Sequence, residues 1–177
     1  MLFQPTPLEG AHVIALQRHQ DERGSFARTW CRREFAEQGL VTELVQANTA
    51  FTRKRGTIRG IHYQLAPHGE TKLVHCVHGA IFDVIVDLRP ASATYCQWFG
   101  IRLTAESDRL LYVPEGCAHG YQTLSDDSAI IYLVSEFYTP EAERGVRWND
   151  PRFKIQWPIT DAAVISDKDR SWPDYTD

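Results

Sequence analysis

Short runs in which apolar residues recur at alternate positions, separated by turn-forming residues, dominate the chain from about residue 43 to residue 137. A period of two with even turn spacing predicts β-strands. Eight are predicted, at residues 43–51, 57–63, 72–78, 80–88, 97–104, 109–113, 120–124 and 129–137. Arg55-Gly56, Pro67-His-Gly69, Arg89-Pro90, Pro114-Glu-Gly116 and Ser125-Asp-Asp-Ser128 supply turns between them. His78-Gly79, set between two apolar runs, predicts a tight hairpin. One segment, residues 32–38, reads as a helix stopped by Gly39.

Within residues 80–88, Phe82, Val84, Val86 and Leu88 share one face, and Ile81, Asp83, Ile85 and Asp87 the other. Aspartates inside such a run need water or partners. Eight strands in a chain of this length predict an all-β fold, a sandwich or jelly-roll barrel whose open end is the natural ligand pocket. Residues 148–177, rich in Pro, Trp and Asp, are expected to wrap the barrel irregularly, so residues 1–177 are expected to form one domain.

Charge and composition narrow the function classes. The formal net charge of −4 and the absence of a basic stripe argue against a nucleic-acid partner. The one basic run, Arg53-Lys54-Arg55, reads as a solvated loop. Cys31, Cys76, Cys96 and Cys117 form no C-x-x-C pair and read as buried structural thiols. The first residues lack a charged start followed by an apolar run, and no apolar stretch approaches the ~20 residues that span a bilayer. A cytoplasmic protein with reduced thiols and no membrane partner is therefore expected.

Metal-binding barrels of the cupin type commonly use an H-x-H pair, a Glu and a distant His. Here His62 is followed by Gln64, and His75 and His78, three apart on a strand, point to opposite faces. No metal and no cofactor are therefore expected. Several polar groups nevertheless recur where a barrel wall is predicted. Arg59 and His62 flank Gly60, a candidate bulge that turns both inward. Lys72 opens an apolar strand, His119 follows a loop, and Tyr132 sits inside Ile130-Ile-Tyr-Leu-Val134. Spacing alone leaves three readings open: an acid–base enzyme, a metal-dependent cupin such as a dioxygenase, or a non-catalytic binding barrel.

A set of motifs decides among them. Asp21-Glu-Arg-Gly24, Ile58-Arg-Gly-Ile-His-Tyr-Gln64, Lys72-Leu-Val74, Phe82-Asp-Val84, Pro114-Glu-Gly-Cys-Ala-His-Gly120, Tyr138-Thr-Pro140, Trp148-Asn-Asp150, Trp157-Pro158 and Ser166-Asp-Lys-Asp169 follow in this order. Together they resemble the dTDP-4-dehydrorhamnose 3,5-epimerase family across nearly the whole chain. The resemblance implies a metal-free, cupin-type jelly-roll barrel with short peripheral helices. It also implies a homodimer with shared active sites, acting on a nucleotide-diphosphate-linked 4-keto-6-deoxy sugar. It makes His62 the proton acceptor, Asp169 the carboxylate that orients it, Lys72 the cation beside the enolate oxygen and Tyr132 the proton donor. Asp83 and His119 would form a second polar pair, holding Lys72 and sugar hydroxyls. Arg59 and Arg23 would bind the diphosphate, with Gln46, Asn48, Glu143 and Lys168 as further ligand contacts. Tyr138 would stack on the base, and Phe26 would reach the site of the neighbouring subunit. Two departures fall at the nucleotide end: Arg28 and Ala47 stand where the family often carries acidic residues. The resemblance therefore specifies the sugar chemistry and leaves open both the base and the choice of carbon 3, carbon 5 or both.

Overall fold

The structure, a computed structural model, describes residues 1–162 and 164–176. In chain order the strands are β1 (Leu2–Pro5), β2 (His12–Ala15), β3 (Arg18–Asp21) and β4 (Gly24–Ala27), followed by helix α1 (Arg32–Glu37). Then come β5 (Gln46–Thr52), β6 (Ile58–Gln64), β7 (Lys72–His78), β8 (Ala80–Asp87), β9 (Trp98–Thr104) and β10 (Arg109–Val113). The remainder is β11 (Cys117–Thr123), β12 (Ser128–Val134), β13 (Glu143–Gly145) and helix α2 (Asp167–Ser171).

Two antiparallel sheets form the body, one of six strands in the order β1-β2-β10-β7-β12-β5, the other of five in the order β13-β6-β11-β8-β9. Val74, Cys76, Leu111, Val113 and Ile130 of the first meet Ile81, Ile85, Leu103 and Tyr121 of the second in a shared core. This is the expected cupin-type jelly roll.

Both faces of β8 are dry, and the two-sided pattern of residues 80–88 explains how. Ile81 and Ile85 enter the shared core. Val84, Val86 and Leu88 pack outward against Phe153 and Ile155, with Phe82 and Trp157 alongside. The C-terminal segment thus covers the outer face of the five-stranded sheet; Ala163 and Asp177 of the stretch expected to do so lie outside the described residues. Helix α1 covers part of the other sheet, with Phe35 against Leu73, Leu110 and Tyr112.

All eight predicted strands are present, two with the predicted bounds and six with edges displaced by one to three residues. The strand predicted at 120–124 begins at Cys117, so His119 lies inside β11 and not in the loop before it. The hairpin expected at His78-Gly79 does not form: β7 pairs with β10 and β12, whereas β8 pairs with β9 and β11. Gly79, at φ +70°, is a corner at which the chain crosses between sheets, and Ser125 and Ser128 fill the space beside it. β1 to β4 and β13 went unread because each is only three or four residues long. β3 is also exposed throughout, and β4 at all but Ala27, so no hydrophobic face marks them.

Asp87, fully buried, closes the end of β8. It accepts hydrogen bonds from Arg89, Ser92 and Thr94. Burial pushes its carboxyl upward, but those donors outweigh burial and hold it far below the usual carboxylate range. Replacing Asp87 with Ala is expected to cost about 3–5 kcal/mol of unfolding free energy, because it strands Arg89 in a partly buried site. The sign with pH follows from the depressed carboxyl: its contribution is complete above the unfolded value of ~3.9 and is lost as pH falls toward the folded one. Denaturant unfolding between pH 7 and pH 2 is expected to show a shallower acid slope for Asp87→Asn than for the unaltered chain.

Candidate active site

A cavity of about 480 Å³ lies between the sheets, lined among others by Arg59, His62, His119 and Tyr121 from one sheet and Lys72 and Tyr132 from the other. Its shape depends on a bulge in β6. His119 pairs with His62 and Tyr121 with Arg59, so Gly60 and Ile61 together stand opposite Gly120 alone. Two residues against one rotates the strand, and Arg59 and His62, three apart, both come to line the cavity. Gly60 adopts φ +103°, and a Cβ there would lie 2.7 Å from Gly120 Cα and 2.8 Å from the His119 carbonyl oxygen. The close approach of β6 and β11 requires glycine at this point.

His62 Nε2 lies 2.6 Å from Asp169 Oδ1, which leaves Nδ1 as the ring nitrogen available to the cavity. Asp169 comes from the far end of the sequence, on α2. The Ser166 hydroxyl caps that helix by accepting from the Asp169 amide at 3.1 Å. The Gly60 amide reaches Asp169 Oδ2 at 3.3 Å. Burial raises the Asp169 carboxyl, but His62, Ser166 and Gly60 more than offset it, so the group lies below its ordinary value and is ionised at neutral pH.

Lys72 is 7% exposed, and a buried ammonium requires compensation. Glu70 supplies it, with Oε1 3.1 Å from Nζ, and the His62 carbonyl oxygen lies at 3.4 Å. The sequence reading assigned the holding of Lys72 to Asp83 and His119. The expected pair of those two forms, Nε2 to Oδ1 at 2.7 Å, but the ion pair of Lys72 is with Glu70, and among the described residues the second oxygen of Asp83 is buried without a hydrogen-bond partner. Tyr132 projects from the wall opposite His62. Burial raises its phenol, the charge of Glu70 adds to this, Arg59 opposes it, and the net direction is upward. The phenol therefore keeps its proton throughout the neutral range.

Arg59 donates from Nε to the Thr52 hydroxyl at 3.0 Å and from Nη2 to the Phe51 carbonyl at 3.1 Å, so its guanidinium is fixed at the cavity edge. An adjoining lobe of about 350 Å³ holds Gln46, Asn48, Glu70, Tyr138 and Glu143. There Glu143 Oε2 accepts from Tyr138 at 2.6 Å and from Lys168 at 2.5 Å. Gln64 fastens the segment carrying Tyr138, donating to the Phe137 carbonyl and accepting from the Thr139 amide.

Of the residues singled out from sequence, twelve therefore gather at the cavity, its lobe or directly behind it. Arg23 and Phe26 do not. They sit on the β3–β4 hairpin, which among the described residues forms a sheet of its own; there Phe26 is 68% exposed and Arg23 bonds Asp21. Arg28 is paired with Glu34. His75 shares the outward side of β7 with Leu73, away from His62. Among the described residues no three His, Cys, Asp or Glu side chains gather as a metal site would require. Sequence reasoning missed Glu70, Thr52, Tyr121 and Gln64. Glu70 carried a usable signal, since in an extended segment it shares a side with Lys72.

By its chemistry this is a barrel of the acid–base class, built to move protons on a bound small molecule. The model of the dTDP-4-dehydrorhamnose 3,5-epimerase family matches residues 5–177, and the chain belongs to that family. A dTDP-4-dehydrorhamnose 3,5-epimerase of Methanothermobacter thermautotrophicus is 44% identical, over 96% of this chain and 92% of its own. A dTDP-4-dehydrorhamnose 3-epimerase of Streptomyces niveus is 41% identical, over 96% of this chain and 82% of its own. The crystal structure of a dTDP-4-dehydrorhamnose 3,5-epimerase from Bacillus anthracis with TDP and PPi bound superposes with a TM-score of 0.93. It is 39% identical, over 97% of this chain and 98% of that one.

Gly60→Ala is expected to lower unfolding free energy by about 1–3 kcal/mol, through a left-handed backbone and a clash with β11. Chemical denaturation of the purified variant measures it.

Proposed function

We propose that this chain epimerises carbon 3, carbon 5 or both of a nucleotide-diphosphate-linked 4-keto-6-deoxyhexose, in deoxysugar biosynthesis for polysaccharides or natural products. The observation that carries the reading is the His62–Asp169 pair on one wall of a cavity whose other wall presents Tyr132, with Lys72 also in that cavity. A ketone at carbon 4 acidifies the hydrogens at carbons 3 and 5, since loss of either gives an enolate. Inverting such a centre needs a base on one face and an acid on the other.

In this mechanism His62 takes the proton through Nδ1, and Asp169 holds the ring and balances the imidazolium charge. The Lys72 ammonium meets the negative charge that grows on the carbonyl oxygen. Tyr132, still protonated at neutral pH, returns a proton from the opposite side. His119, backed by Asp83, contacts sugar hydroxyls. Arg59, with its fork already oriented, takes the diphosphate. Gln46, Asn48, Tyr138 and Glu143 in the adjoining lobe, together with Lys168, which is bonded to Glu143, receive the nucleoside end.

The same reading makes the protein a homodimer. The exposed hairpin carrying Arg23 and Phe26 then enters the site of a second copy, which accounts for an aromatic ring left in solvent. Phe51 and Ile131, also exposed, lie on the outward face of the adjacent β5 and β12 and give such a dimer apolar area to cover. The four free cysteines suit a reducing, cytoplasmic setting.

His62→Ala is expected to abolish solvent deuterium uptake into the sugar while leaving nucleotide affinity largely intact; undiminished uptake would remove His62 as the base. Offering dTDP-, CDP- and GDP-linked substrates in deuterated water, with NMR to locate the label, identifies nucleotide and carbon together. For the dimer, mixing His62→Ala chains with Phe26→Ala chains is expected to give more activity than either alone, because one of the two shared sites is then intact. Activity no greater than that of Phe26→Ala alone would rule out sharing.

A further inference from the structure

α2 brings a second side chain to His62. Three residues beyond Asp169, at the C-terminal cap of this short helix, the chain turns extended and Trp172 folds back over β13. Its ring meets the His62 imidazole in an edge-on contact, with centroids 6.5 Å apart and planes inclined at 65°. The residue directly across from His62 on β13 is Gly145. A Cβ at that position would overlap the Cε2 and Nε1 atoms of the indole. The glycine is therefore a notch, and Trp172 occupies it. Among the described residues the buried indole N–H has no hydrogen-bond partner. No polar contact from the described residues holds the ring; its fit between Gly145 and the imidazole does.

We propose that Trp172 is a positioning residue for His62. Asp169 fixes one edge of the imidazole through Nε2 but leaves the ring free to tilt about that single hydrogen bond. The indole removes this freedom and keeps Nδ1 aimed into the cavity. One five-residue helix with its cap thus delivers both the electrostatic and the steric restraint on the base. The proposal rests on His62 being the base, and small errors in the aim of a catalytic group lower turnover steeply.

The test is a series of Trp172→Ala, Trp172→Phe and Gly145→Ala, each assayed for turnover of deuterium uptake and for TDP affinity by calorimetry. Trp172→Ala is expected to lower turnover roughly 10- to 100-fold while TDP affinity stays within about twofold, the pattern of a misaimed base in an intact site. Trp172→Phe keeps an aromatic edge and removes the stranded N–H, so it is expected to recover most of the turnover. Gly145→Ala, which fills the notch and leaves the tryptophan in the sequence, is expected to behave like Trp172→Ala. Unchanged turnover in Trp172→Ala overturns the proposal. So does a parallel fall of turnover and TDP affinity across the series, which would make the indole a general prop for the fold. Failure of the base assignment itself shows separately, as deuterium uptake surviving in His62→Ala.

Discussion

A buried carboxylate has to be satisfied, and around Asp169 this requirement organises the functional end of the molecule. At 4% exposure it lies inside the protein, yet it is contributed by a segment more than a hundred residues from the strand it serves. Its oxygens reach His62 and the amide of Gly60, and its own amide is capped by Ser166. Each partner is needed because an unpaired buried charge costs several kcal/mol. The packing of Phe153, Ile155 and Trp157 on the outer sheet face fastens the same segment to the barrel. A hydrophobic cover and a polar plug therefore belong to one stretch of chain.

The barrel architecture then separates the proton-handling groups. His62 stands on the five-stranded sheet and Tyr132 on the six-stranded one, so the cavity between them has chemically different walls. A flat surface could not offer a base and an acid to opposite faces of one sugar ring. Lys72, from the start of β7, remains compatible with a dry setting because Glu70 accompanies it. The cavity is thus charged but nearly balanced, and its groups are fixed before a ligand arrives, as electrostatic catalysis requires.

The bulge at Gly60 links these two levels. Without it, a period of two would send Arg59 and His62 to opposite sides of β6. With it, both reach the cavity, and the glycine pair Gly60 and Gly120 lets two strands approach more closely than side chains allow. The sequence reading could propose the bulge because glycine between two polar residues in an apolar strand is conspicuous. It could not read the crossover at Gly79, because a corner between sheets and a hairpin within one sheet use the same turn residues.

The all-β class, the eight long strands and, through the ordered motifs, the family were legible in the chain alone. These are properties of local periodicity and of residue order along the chain, and need no knowledge of which strands meet. The rest came from tertiary structure: that the ion pair of Lys72 is with Glu70, that Thr52 holds Arg59, and that Trp172 lies against His62 in the notch of Gly145. It also decided that Arg23 and Phe26 stand apart from the cavity of their own chain. Contacts of this kind join residues distant in sequence, and they follow from pairing and packing between elements, which no single segment encodes.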